Sequence, residues 1–275
     1  MIIASKGEDS THRAVKLVKM FAGCNWRASG YFDRVKISVI VPAFNEEKLL
    51  GASLAEIKGA ARVFESRGWE FELIVCDNNS KDRTAEIARA AGATVVFEPI
   101  NQIGRARNAG AGAATGDWFI FVDADSHPSA ALFEDVAKQI VAGKYVAGGS
   151  TVKMDEASFT ADFVTGLWNK ISRIMGLMAG SFIFVEAAAF RRVGGFNNQL
   201  FAAEEIDLSK RLKELARETG RKMIILHRYP LKTSARKLKL YTPRELLGFT
   251  FRVTLNRKKM LSSPEKAHRW YDGRR

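Results

Sequence analysis

Two aspartates one residue apart, Asp123 and Asp125, follow directly on the apolar run Trp118-Phe119-Ile120-Phe121-Val122. Carboxylates at that spacing past a strand end can share a divalent cation. A hard ion such as Mg²⁺ or Mn²⁺ takes oxygen ligands and keeps waters or substrate phosphates in its shell. A diphosphate, lying by Ala124 and the two aspartates, would complete that shell, and the ion would neutralise charge on a departing nucleoside diphosphate. The competing role is structural, since both aspartates precede Pro128 and could cap the helix after it. The metal role is the one favoured here.

A second acidic group, Glu204-Glu205-x-Asp207-Leu208, follows Gly194-Gly195-Phe196, whose double glycine permits a tight turn. A carboxylate there could serve as general base toward an acceptor hydroxyl. The plainer role is favourable charge at a helix start. Asp77 ends another apolar run, where it can accept a hydrogen bond from a base or ribose; Asn79 stands beside it and opens the turn-rich stretch through Asp82. Gly104-Arg105-Ala106-Arg107-Asn108 opens a helix whose free N–H groups and dipole suit an anion, with two arginines adding charge. His227 closes a short apolar run inside a basic region and is held open as a metal or phosphate contact, against the commoner surface role of a lone histidine.

These residues need a scaffold that collects them. Apolar runs at 36–41, 71–76, 94–98 and 118–122 alternate with helical patterns at 46–67, 84–91 and 104–114. Strands alternating with helices imply a parallel sheet with right-handed crossovers, and ligands then bind beyond the carboxyl ends of the strands. The first strand is followed there by Pro42-Ala43-Phe44-Asn45-Glu46, the second by Asp77 and the fourth by Asp123. Downstream, helices are expected at 129–142, 159–177 and 205–219, and strands at 146–154, 182–185 and 223–226. Gly110-x-Gly112-x-x-x-Gly116 superficially matches a dinucleotide fingerprint, but its glycines end a helix and precede a strand. The fingerprint requires the opposite order.

Length and composition set outer bounds. The 275 residues are 47% hydrophobic and 27% charged, enough for a packed core. Cys24 and Cys76 suit neither a disulfide framework nor a metal site, and a cytoplasmic setting fits them. The first residues carry Lys6, Glu8 and Asp9 with no apolar run after them, so no signal peptide is expected. No charge-free stretch is long enough to span a membrane. The net charge of +13 suits anionic ligands or an anionic membrane surface. A basic amphipathic helix over 12–21 could lie on anionic lipid or, as is commoner, pack on the domain; a further helix is expected over 243–256, and the basic tail after it, with the amphipathic start, suits a lipid-phosphate or membrane-surface acceptor. A solvated basic face is the competing explanation. No nucleic-acid motif is present, and no nucleic-acid partner is expected.

Together the motifs resemble the family 2 glycosyltransferases of the GT-A fold. The resemblance runs through Val39-Ile40-Val41-Pro42-Ala43-Phe44-Asn45-Glu46, Val75-Cys76-Asp77-Asn78-Asn79-Ser80-x-Asp82-x-Thr84 and Gly104-x-x-x-Asn108-x-Gly110. It continues in Gly116-Asp117, Phe121-Val122-Asp123-Ala124-Asp125, Gly194-Gly195-Phe196 and Glu204-Glu205-x-Asp207-Leu208. It implies an α/β domain with a mostly parallel sheet flanked by helices over 36–228. That domain has a nucleotide-binding half (36–125) and an acceptor half (126–228), between an appendage (1–35) and a basic extension (229–275). It implies inverting, metal-dependent transfer from a nucleotide-diphosphate sugar, UDP-linked by preference and GDP-linked as the other choice, to a lipid-linked or small-molecule acceptor. Pro42, Phe44, Glu46 and Asp77 would hold the nucleotide, and Asp123 and Asp125 the diphosphate through Mg²⁺ or Mn²⁺. The family's acidic pair is usually Glu-Asp. Here it is Glu204-Glu205, so Glu205 inherits the role of base while Glu204 stays open. The Gln-x-x-Arg-Trp motif of processive members is absent, and His268-Arg269-Trp270 matches it only in part. A single-transfer, soluble or peripheral enzyme is therefore expected. The rivals are a retaining transferase of the same fold, a sugar-phosphate nucleotidyltransferase and a non-catalytic module for anionic surfaces.

Overall fold

The computed structural model describes residues 35–156 and 159–234, without the side chains of 159–161. The appendage through residue 34, the helices expected over 12–21 and 243–256, and the basic tail lie outside the described residues.

The first half alternates as its apolar periodicity requires: β1 (Lys36–Ala43), α1 (Leu50–Glu65), β2 (Glu70–Asp77), α2 (Thr84–Ala90), β3 (Thr94–Phe97), α3 (Ile103–Ala113) and β4 (Trp118–Val122). Then come β5 (Ser126–His127), α4 (Ala130–Ala142), β6 (Tyr145–Met154), α5 (Phe159–Met175), β7 (Phe182–Glu186), α6 (Ala187–Arg192), α7 (Glu204–Glu218) and β8 (Lys222–Thr233). They form one eight-stranded sheet in the order β3-β2-β1-β4-β7-β6-β8-β5. β1 pairs in parallel with β2 and β4, β2 with β3, and β6 with β8, while β7 is antiparallel to both neighbours and β5 to β8. Six of the eight strands therefore run the same way, and their carboxyl ends share one edge. The mostly parallel sheet expected from the sequence is present.

The antiparallel insertion of β7 matters for that edge. Phe182 at its start pairs with Val122 at the end of β4. Residues 180–181 are thereby brought beside Asp123, whose N–H donates to the Ser181 carbonyl at 3.2 Å. Close packing of α3 against β1 needs glycine: a Cβ at Gly110 would lie 2.5 Å from Ile40 Cγ2. Of the glycines of the misleading fingerprint, Gly110 and Gly116 are packing residues, whereas Gly112 faces open space. Below the edge, Phe121 meets Phe196 edge-on at 5.2 Å and Phe190 at 5.3 Å, joining the β4 core to the loop before α7.

One expected boundary moves. β8 does not stop at Leu226; it passes a bulge opposite Ser150–Val152 and continues to Thr233, which pairs with Ser126 of β5. Residues 229–233 thus belong to the sheet and not to a basic extension. Their apolar alternation is broken by Arg228-Tyr229-Pro230, which hides the strand in the sequence.

Candidate active site

The strand ends and the start of α7 enclose a cavity of about 350 Å³. Pro42, Ala43, Phe44 and Glu46 line it from the end of β1, Asp123, Ala124 and Asp125 from the end of β4, and Glu204 and Glu205 from α7. Trp168 of α5, Val152 and Met154 of β6, and Thr233 and Ser234 at the end of β8 form another part of the wall. Nine of the residues singled out in the sequence therefore meet in one cleft.

The loops after β1 and β2 are locked together by their polar residues. Asn45 adopts a left-handed φ of 52°, its N–H donates to Ser80 Oγ at 3.0 Å, and its side-chain oxygen accepts from Lys81 N–H at 2.8 Å. Glu46 N–H donates to Thr84 Oγ1 at 2.8 Å. These bonds delay α1 to Leu50 and hold Phe44 and Glu46 at the cavity wall.

The aspartates of β4 are not helix caps. Ser129 caps α4 through its hydroxyl, which accepts from Leu132 N–H at 3.2 Å, so Asp123 and Asp125 remain in the cavity wall. Asp123 Oδ1 instead accepts from Arg107 Nη2 at 3.0 Å. Arg107, only 1% exposed, also donates through Nη1 to Glu204 Oε1 at 2.7 Å and through Nη2 to the Gly180 carbonyl at 2.8 Å. Its guanidinium lies 5.2 Å over the Phe196 ring. Burial works against the charge, but Asp123, Glu204 and Glu205 hold its pKa above the ordinary arginine value. A Cβ at position 180 would lie 3.2 Å from Arg107 Nη2, so the guanidinium would have to shift to admit one.

Glu205 stands next in the same wall. Burial and the neighbouring Glu204 charge push its carboxyl up to about 8, with Asp123 acting in the same sense and a backbone hydrogen bond and Arg107 opposing. Of the two glutamates, Glu204 is bound to the arginine, whereas Glu205 is the one shifted into the range of a base working near neutral pH. The helix that carries them follows Ala203, its N-cap, held left-handed at φ 59°. Its first turn holds Glu204, Glu205 and Asp207, favourably placed for the helix dipole.

Other expected residues support the wall without lining it. Asp77, 8% exposed, ends β2 and accepts from Ser80 N–H at 3.0 Å. Asn79, left-handed at φ 65°, donates to the Pro99 carbonyl. Gly104 packs behind Glu204, where a Cβ would sit 3.5 Å from Glu204 Cγ. Arg105 pairs with Glu98 at 3.2 Å and does not reach the cavity. Asn108 is a brace: its side chain accepts from Phe196 N–H at 2.9 Å and donates to the Phe196 carbonyl at 2.8 Å. At the start of α3, Arg105 is paired sideways with Glu98, whereas Arg107 lines the cavity with its guanidinium held by Asp123, Glu204 and the Gly180 carbonyl. His227 is exposed in the β8 bulge and outside the cavity lining, so the geometry does not bring it to the aspartates.

Sequence reasoning missed the central role of Arg107, and also Asn78 and Trp168 of the wall. The signal for Arg107 was its spacing. It sits three residues after Gly104 and three before Gly110, on the stripe of α3 that packs inward. Cys76, one residue before Asp77, is buried and its thiol is pushed up to about 12 by burial and by Glu98 and Asp77, which removes it as a nucleophile.

The pattern of Glycosyl transferase family 2 matches residues 38–193. An uncharacterized glycosyltransferase of Mycobacterium tuberculosis is 40% identical over 89 residues, covering 32% of this chain and 36% of that protein. The chain thus matches about a third of that relative's length. A mannosyltransferase from Pyrobaculum calidifontis, solved in complex with GDP-Man and Mn²⁺, superposes with a TM-score of 0.61 at 17% identity, covering 94% of this chain and 76% of that one. S. aureus TarS 1-349 in complex with UDP-GlcNAc superposes with a TM-score of 0.57 at 23% identity, covering 85% and 69%. At those identities the likeness to the solved structures is one of fold.

Proposed function

The chain belongs to glycosyl transferase family 2 and shares the GT-A fold of its structural neighbours, and we propose that it moves a sugar from a nucleoside-diphosphate sugar to an acceptor hydroxyl, inverting the anomeric carbon. The observation that carries this reading is one cavity lined by Asp123 and Asp125 on one wall and by Glu204 and Glu205 on another, with Arg107 joining Asp123 to Glu204. UDP-sugars are the first donors to try and GDP-mannose the second. The neighbours solved with UDP-GlcNAc and with GDP-Man and Mn²⁺ support both classes.

Among the described residues no group of three or more His, Cys, Asp or Glu side chains is arranged to hold a metal ion. Two oxygen donors are nevertheless the set that suits Mg²⁺ or Mn²⁺, which leaves its other positions to water and phosphate. Asp123 and Asp125 would hold the ion, and when bound it would neutralise charge on the departing diphosphate.

The chain's own residues do the rest. Phe44 and Glu46, fixed by the interlocked loops, orient the nucleotide at the end of β1, with Asp77 behind them. Glu205 accepts the proton of the acceptor hydroxyl while that oxygen bonds to the anomeric carbon and the bond to the diphosphate oxygen breaks. Glu204 is the positioning partner: its bond to Arg107 fixes the first turn of α7 and leaves Glu205 as the base.

The acceptor is a lipid-linked or small-molecule hydroxyl, met in the cytoplasm or at the inner face of the membrane. No described helix is long and apolar enough to cross a membrane.

The test is product stereochemistry. Transfer from UDP-glucose, UDP-GlcNAc and GDP-mannose is followed with Mn²⁺ present, and the anomeric proton of the product is read by NMR. A product configuration opposite to the donor's is expected. A retained configuration removes Glu205 as direct base. Release of inorganic pyrophosphate from a nucleoside triphosphate would point to the nucleotidyltransferase instead.

A further inference from the structure

α5 is turned inside out. Three uncharged polar residues face the domain: Ser172 is 1% exposed, Thr165 is buried, and Asn169 is bonded to both the N–H and the carbonyl of Val152 on β6. Four apolar residues face away. Phe163, Leu167, Ile171 and Ile174 recur at helical spacing on the opposite side, with Ile174 77% and Phe163 67% exposed, and Met175 follows. A surface helix normally shows the reverse arrangement, with its apolar stripe on the core. A stripe of this kind, uncovered by the described residues, marks an interaction surface.

Charge says what kind of surface. Lys170 borders the stripe and Arg173 lies beyond it on the same flank, both exposed. Lys213 of α7 reaches the Met175 carbonyl at the end of the helix. Asp162 in the first turn is the only acid on α5. A helix of 17 residues, about 25 Å long, with an outward apolar face and flanking cations has the form of one that lies in a membrane interface, apolar face down, with its cations at anionic headgroups. The chain's net charge of +13 acts in the same direction. α5 also adjoins the cavity, because Trp168 is part of the cavity wall.

We infer that α5 docks the enzyme on an anionic lipid surface through Phe163, Leu167, Ile171 and Ile174, with the cavity opening beside the bilayer. The docking does not depend on the transfer reaction. Only its meaning, delivery of a lipid-borne acceptor past Trp168, rests on the proposed function.

The test is flotation of the full chain with vesicles of phosphatidylcholine alone and of phosphatidylcholine with phosphatidylglycerol in equal parts. Leu167→Glu/Ile174→Glu and Lys170→Glu/Arg173→Glu are compared with the native chain. All four side chains are exposed, so the melting temperature and the release of UDP from UDP-sugars in the absence of lipid should be unchanged. The native chain is expected to float with the anionic vesicles and not with the neutral ones. The apolar double variant should partition about tenfold more weakly or worse, the loss that follows from keeping one apolar side chain out of lipid. The cation variant should lose the preference for phosphatidylglycerol. Equal flotation of native chain and both variants would overturn the inference and leave lipid contact to other basic segments. A native dimer that becomes monomeric in Leu167→Glu/Ile174→Glu, with no flotation, would assign the stripe to a second copy. A lowered melting temperature in that variant would mean that the chain covers the stripe itself. A native chain that floats with the anionic vesicles but releases no UDP from UDP-sugars would count against the proposed function alone.

Discussion

Arg107 and Glu204 form an ion pair of 2.7 Å with side chains only 2% and 6% exposed. The same guanidinium holds Asp123 at 3.0 Å. One buried cation from the start of α3 thus joins a carboxylate at the end of β4 to one in the first turn of α7. Removing one partner of such a pair leaves uncompensated charge in a dry place.

Arg107→Met should therefore destabilise the fold by about 3–5 kcal/mol at pH 8, where the carboxylates it faces demand a counter-charge. Urea unfolding measures this directly. A loss under about 1 kcal/mol would mean that the cluster is better solvated than its burial implies.

The raised pKa of Glu205 has two consequences of opposite use. As a base it must be deprotonated, so the transfer rate should climb with pH and level off above about 8. Glu205→Gln should lower the rate by about 10²–10⁴ and remove that limb. Glu204→Gln should disturb Arg107 but keep the limb, which separates the two glutamates.

For stability the sign runs the other way. The folded chain keeps a proton on Glu205 up to about 8, whereas the unfolded chain gives it up near the ordinary value of 4.5. This contribution is fully present below pH 4.5 and is lost as pH rises through 8. Thermal melts across that range should show a downward slope that Glu205→Gln flattens. An unchanged slope in the variant would assign it to other groups.

Asn108 gives a sharp choice between two roles. If it braces the Gly195–Phe196 turn, Asn108→Ala should cost about 1–3 kcal/mol in stability, since two Phe196 backbone groups lose their partner. Its nucleotide affinity should stay near that of the native chain. A tenfold or greater loss of UDP affinity by calorimetry, with stability unchanged, would restore the nucleotide contact suggested by the motif.

The parts that apolar patterning could reveal were legible. β1, β2 and β4 are continuous buried runs, so their carboxyl ends, and with them Phe44, Glu46, Asp77 and Asp123, could be assigned to one edge before any coordinates. The acidic start of α7 was readable for a different reason, because Glu204 and Glu205 follow a double glycine. What could not be read was direction. Arg107 is charged and near a helix N-terminus, which in sequence suggests a phosphate contact; its rotation into the interior depends on Gly180, 73 positions away along the chain. Residues 227–231 escaped because the bulge of β8 breaks the two-residue alternation. α5 was readable as a helix, but its period does not say which side meets the domain. Only the bonds of Asn169 to Val152 reveal that.

A donor site built on the aspartates after β4 would show itself as thermal stabilisation by nucleotide and metal together. UDP and GDP are each added with and without Mn²⁺ to the native chain and to Asp125→Ala. A ligand at about a hundredfold its dissociation constant adds ~2.7 kcal/mol. For a domain of this size that is a rise of about 5–10 °C. This rise is expected in the native chain only when nucleotide and Mn²⁺ are both present, UDP acting more strongly than GDP, with no rise in Asp125→Ala above its own unliganded melting temperature. The same rise in the variant, or a rise in the native chain that survives removal of the metal by EDTA, would contradict it.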